Sequence, residues 1–138
     1  MSLPEWTAGI SSALDDKMGI ELLELGPQRS RARMPVAGNT PPFGLWHGGA
    51  SCVLAETLAS LSAFAEVGSG GRVFGVDINA THHRSVRSGI VTGVATALHL
   101  GRQMASYEVV ISDDRGKRVC TARITCALLP TESLVKPG

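Results

Sequence analysis

Between Gly48 and Val67 the chain runs twenty residues rich in Ala, Leu and Ser, without proline, and is closed by Gly68-Ser69-Gly70-Gly71. Good helix formers with a glycine stop predict one helix over that span. The segment is apolar on nearly every face, and Glu56 is the only charged residue between His47 and Ala65. A helix apolar all round is wrapped by other structure. The rest of the chain must therefore supply a cover.

That cover reads as strands. Ile20–Leu25 is strand-like, Gly26-Pro27 marks a turn, and SRARMPV alternates charge with apolar residues as a second strand would. Pro35 places that strand at an edge or marks its end. After the helix come Val73–Thr81, then Gly89–Leu98 with Ile90, Thr92, Val94, Thr96 and Leu98 on one face. Ala105–Ser112 alternates through Ala105, Tyr107, Val109 and Ile111, and Asp113–Lys117 has the chemistry of a hairpin turn before Arg118–Leu129. Four runs with no helical pattern between them favour an antiparallel meander. Ahead of all this, Trp6, Ile10, Leu14 and Met18 recur every four positions and predict a short amphipathic helix over 4–18. The tail TESLVKPG reads as frayed. The expected class is α+β, a single domain over 1–138 with one long central helix in a curled antiparallel sheet.

Composition excludes more than it assigns. At 138 residues with 43% hydrophobic and 18% charged residues, the chain suits one soluble domain. A formal charge of +1 gives no reason to expect nucleic acid or a membrane surface as partner. Cys52, Cys120 and Cys126 show no CxxC and no zinc-like spacing, so no metal is expected. The N-terminus lacks a basic and apolar leader, and no apolar run approaches the roughly 20 residues of a membrane span. A cytoplasmic protein is the expectation. No phosphate-binding loop, dinucleotide-binding GxGxxG or GxSxG elbow is present.

Two groups of residues can carry chemistry. His47-Gly48-Gly49 opens the helix, where glycines leave unpaired N–H groups at the positive end of the helix dipole, able to hold a developing oxyanion. Cys52, Glu56 and Ser60 follow at intervals of four and share a face with Gly49. On spacing alone an isolated charge on a helix is more often structural than catalytic, and Glu56 facing solvent or capping a neighbour fits as well. His47 can equally be a simple cap, and HGG by itself is a weak motif. The second group is His82, His83, Arg84, Ser85 and Arg87 after one strand, with His99, Gly101 and Arg102 after the next. Placed at adjacent strand ends these would suit phosphate, or form a solvated basic rim.

PPFGLWHGGASCVLAETLAS resembles the active-site helix of hotdog acyl-CoA thioesterases, and the likeness continues through VFGVDINATHHRSVRSG, ALHLGRQ and RGKRVCTARITCALL, about residues 17–129. The subgroup is the one containing 1,4-dihydroxy-2-naphthoyl-CoA thioesterase and the Arthrobacter-type 4-hydroxybenzoyl-CoA thioesterase, akin to phenylacetate-pathway thioesterases. The resemblance implies hydrolysis of an acyl-CoA with an aromatic or medium-chain acyl group, without metal or cofactor. It implies Glu56 as nucleophile or general base, the Gly48 N–H as oxyanion donor, His47 beside the carbonyl and Ser60 orienting water. Phe43 and Gly44 would meet the acyl group. His82, Arg84, Ser85, His99, Gly101 and Arg102 would bind coenzyme A, in a site shared across a homodimer that assembles to a homotetramer. One departure stands out: the family commonly has glutamine where this chain has Pro41, which offers neither amide nor N–H. A non-catalytic acyl-CoA-binding module is the alternative, in which a carboxylate at Glu56 would have no task.

Overall fold

A computed structural model describes residues 3–9 and 12–130. The central helix, α2, runs Gly48–Val67, over the span expected. Six strands surround it: β1 (Glu21–Leu25), β2 (Arg29–Pro35), β3 (Arg72–His82), β4 (Ile90–Leu100), β5 (Met104–Ser112) and β6 (Arg118–Leu129). Every neighbouring pair is antiparallel. The helix lies in one curled sheet, the hotdog arrangement of an α+β fold.

The order across the sheet is β1-β2-β4-β5-β6-β3, which corrects the simple meander. The chain leaves β2, passes through α2, and enters the sheet again at its far edge as β3. Only β4, β5 and β6 then return as consecutive neighbours. Strand periodicity reports which face is buried and is silent on which strand lies alongside. Pro35 closes β2 at its end, where it pairs with Ile90.

The core forms between the sheet and one stripe of α2. Leu54, Ala55, Leu58 and Ala59 are fully buried against Tyr107, Val109 and Ile111 of β5 and Ile124 and Cys126 of β6. On β4 the inward residues are Val91, Gly93 and Ala95, so the face with Ile90, Thr92 and Leu98 turns outward. Gly93 makes room for the helix: a Cβ there would sit 3.0 Å from Leu58 Cδ1. By length and composition α2 could cross a membrane, contrary to the expectation that no run comes near it, but its buried stripe is taken up by the sheet.

The N-terminal segment is broken where one amphipathic helix was expected. A 3-10 turn covers Glu5–Gly9, and the short helix α1 covers Ala13–Met18. Ser12 is extended at ψ 116 and its hydroxyl accepts the Asp15 N–H, which caps α1 and stops it growing backward. Trp6 packs tilted on Phe64 of α2, ring centres 5.4 Å apart. Thr57 of α2 donates to Asp15 at 2.9 Å. Ile10 and the tail from Thr131 lie outside the described residues.

Candidate active site

The start of α2 is built from its own flanking residues. The His47 Nδ1 accepts the Gly49 N–H at 2.8 Å, and the His47 carbonyl accepts the Ala50 N–H at 2.9 Å. His47 is therefore the helix cap. Because Nδ1 accepts, a neutral imidazole carries its proton on Nε2, which leaves a donor on the far side of the ring. Among the described residues nothing accepts the Gly48 N–H. It is a free donor at the positive end of a twenty-residue helix.

Two sets of hydrogen bonds fix this corner. Trp46 is buried and its indole N–H donates to Ser51 Oγ at 2.6 Å, tying the entry loop to the first turn. The Asn39 amide donates to the carbonyls of Met18 and Pro35, and the Asn39 carbonyl accepts the His47 N–H. Sequence reasoning assigned neither residue this role. A loop composition of Gly, Asn, Thr and Pro signals irregular backbone without naming the side chain that pins it.

Glu56 is exposed and takes part in neither of the two ion pairs found among the described residues, Glu24–Arg29 and Glu21–Arg33. No hydrogen bond occupies its carboxylate among the described residues. It extends from α2 onto β3, where a Cβ on Gly75 would stand 2.7 Å from its Oε1. Next on the same stripe, the Ser60 hydroxyl lies at the Cys126 thiol of β6. Burial pushes the Cys126 thiol up; the Ser60 contact opposes that shift and the Glu56 charge adds to it. Cys52, one turn before Glu56, lies toward Cys120, whose thiol is likewise raised by burial. All three cysteines are free. The stripe read from spacing is real, and it faces β3 and β6.

The strand β3 carries a β-bulge that the sequence did not reveal. Gly75 pairs with Cys126 and Asp77 with the next residue, Thr125, so Val76 is extra. One extra residue reverses the alternation of faces. Val73 and Gly75 face α2 before the bulge, and Ala80 and His82 face it afterwards. The His82 ring ends up against the helix start, with Nε2 2.8 Å from where a Gly48 Cβ would be. A cleft of about 330 Å³ opens there, lined by Trp46, Gly48, His82, His83, Arg84, Ser85 and Val119.

The other basic residues lie elsewhere. β3 runs in the same sense as β5 and opposite to β4, so the ends of β3 and β4 are at opposite ends of the sheet. The expectation of adjacent strand ends is corrected on this point. His99 packs against Gly101, and Gly101 and Arg102 line a second cleft of about 360 Å³ with Glu66 and Leu128. Phe43 is 90% exposed beside Gly44, which turns back through a bond from its N–H to the Pro41 carbonyl. Within one chain neither Phe43 nor Gly44 lines the Gly48 cleft.

Comparison with known proteins gives this arrangement a family. Residues 43–120 match the model of the thioesterase superfamily. The chain belongs to the thioesterase superfamily. It is 45% identical over 130 residues to the proofreading thioesterase EntH of Cronobacter turicensis, covering 94% of this chain and 95% of that one. The thioesterase HI1161 of Haemophilus influenzae superposes with a TM-score of 0.86 at 37% identity, over 94% of this chain and 92% of that one. The Staphylococcus aureus thioesterase SAV0944, solved with a glutamine changed to alanine, is 29% identical, with a TM-score of 0.81 over 86% of this chain and 100% of that one. The same protein was also solved with a glutamate changed to alanine. The reaction class of this thioesterase is hydrolysis of a thioester, and its matched region spans the helix, the bulged strand and the Gly48 cleft.

Proposed function

We propose that the protein hydrolyses an acyl-CoA thioester to the free acid and coenzyme A, with an aromatic or medium-chain acyl group. The observation that carries this is the pairing on one helix of Glu56, a carboxylate with no partner among the described residues, and a free terminal donor, the Gly48 N–H. A thioester carbonyl held at Gly48 develops negative charge as it is attacked, and the helix dipole favours that charge. His47 can donate to the same oxygen through Nε2. Glu56 either attacks the acyl carbon, forming a mixed anhydride and releasing the thiol, or takes a proton from water that attacks. Ser60 would orient that water.

A further point supports Glu56. The two positions changed in the Staphylococcus aureus thioesterase, a glutamine and then a glutamate, are fifteen residues apart, the separation of Pro41 and Glu56 here. On that reading the glutamine's work passes to another group, and Pro41 alters substrate preference more than reaction class.

His82, Arg84 and Ser85 would bind coenzyme A from one chain, with His99, Gly101 and Arg102 at the other end of the sheet supplied by a second. The open edge favours such a homodimer, with a homotetramer built from two: Phe74, Val76 and Ile78 of β3 are 52%, 55% and 37% exposed. Phe43 and Gly44 would then meet the acyl group across the interface. The free thiols suit a reducing cytoplasm.

Release of free thiol from aryl, aryl-acetyl and fatty acyl-CoA esters tests the reading. Turnover of at least one ester, abolished in Glu56→Gln, is expected; tight binding of every ester without release would overturn it. A single turnover in ¹⁸O-water separates the two routes, since only the anhydride route can leave ¹⁸O in Glu56.

A further inference from the structure

The bulge in β3 has a specific consequence for Glu56. The carboxylate rests where Gly75 lacks a side chain, and among the described residues, its two chain neighbours aside, the only heavy atoms a Gly75 Cβ would meet within 4 Å are Glu56 Oε1 at 2.7 Å and Cδ at 3.8 Å. Other helix-facing positions nearby carry side chains: Val73 before it and Ala80 after it both pack on the core. Gly75 does not have a positive φ, so backbone conformation does not demand glycine here. What a methyl there would meet is the carboxylate. Val76, the inserted residue, lets Gly75 and His82 both face α2, so that Glu56 is seated on the same strand that holds His82 against Gly48.

We propose that Gly75 is a positioning residue for the thioesterase reaction: its bare face at the β3 bulge is the seat that fixes the Glu56 carboxylate relative to the Gly48 donor. The inference rests on the reading of Glu56 as the reacting group. A methyl at Gly75 pushes on the far end of a flexible side chain, which can rotate away without disturbing the core. The fold therefore survives and the reacting oxygen moves. A displacement near 1 Å at a reacting group can cost on the order of a hundredfold in rate.

The test uses the full-length protein and a CoA ester that it turns over. Gly75→Ala should lower kcat about ten- to a hundredfold, with KM within about twofold and an unchanged melting temperature. The loss should shrink in a Glu56→Asp background, because the shorter carboxylate clears the methyl and the two positions are coupled. Gly93→Ala is the contrast: its methyl meets Leu58 and Leu54, so it should lower the melting temperature and spare kcat per folded molecule. Full kcat in Gly75→Ala with Glu56→Gln inactive would overturn the positioning role alone. An equal loss in the parent and in the Glu56→Asp background, or failure of Gly75→Ala to fold, would overturn it as well. Retained activity in Glu56→Gln would instead overturn the reading of Glu56 on which the inference stands.

Discussion

The two long faces of α2 differ in residue type and in what covers them. Leu54, Ala55, Leu58 and Ala59 point into the sheet and are completely buried. About a third of a turn away, Cys52, Glu56 and Ser60 look toward β3 and β6, where the sheet ends and Glu56 stays exposed. The first face is closed over by the sheet, and its polar side chains, Ser51 and Ser62, are buried with it. The second has a carboxylate with no partner among the described residues and an open edge beside it. On the proposed reading one helix serves as both core and active site, and the strand over its reactive face is the last in the sheet.

The division can be broken from either side. Leu58→Ala should cost the most, about 2–5 kcal/mol of stability in denaturant unfolding, through a cavity under the sheet. Its kcat, corrected for the folded fraction, should stay within about twofold. Glu56→Gln should do the reverse, lowering kcat by about a hundredfold or more, close to 2.7 kcal/mol of barrier, with an unchanged unfolding midpoint. Trp46→Phe sits between the faces. It strands the buried Ser51 hydroxyl at about 1–3 kcal/mol, and by loosening the first turn it should also raise KM. If it moved only stability, the helix start would belong to the core face alone.

The smallest effect is at the hairpin. The Asp113 carboxylate accepts the N–H groups of Lys117 and Arg115, and those bonds, with the Lys117 bond foremost, hold its pKa below the ordinary carboxylate range. A lowered folded pKa gives stability that is complete above the unfolded pKa and fades as pH falls through the folded one. Asp113→Asn should therefore flatten the acid side of the stability profile slightly and leave neutral activity unchanged. A mutant whose acid limb matched the parent would show that this exposed turn adds nothing.

Local signals in the sequence were enough for α2, for the six strands and for one face of the candidate site. Alanine-rich chain between His47-Gly48 and Gly68 marks α2, and Asp113–Lys117 marks the last hairpin. The stripe of Cys52, Glu56 and Ser60 follows from a period near four. What was not legible depends on contacts distant in sequence. The pattern VFGVDINATH alternates well enough to predict a strand but not that Val76 is extra, because the bulge is defined by the register against β6. Likewise His82–Arg87 and His99–Arg102 each read correctly as strand-end clusters, while their separation needed the position of β3. At the N-terminus a period of four gave way to Ser12, whose capping bond outweighs the continuity of Trp6, Ile10, Leu14 and Met18.

The placement of β3 also sets the order in which the molecule becomes competent. As the chain is synthesised, Glu56 emerges on α2 early, and the strand bearing Gly75 follows directly. That strand has no neighbour to pair with until β6 arrives, the last of the six. Pairing between segments so far apart is slow because the intervening chain must first be closed into a loop. In refolding, helical signal should return well ahead of catalysis, and turnover should be among the last properties recovered.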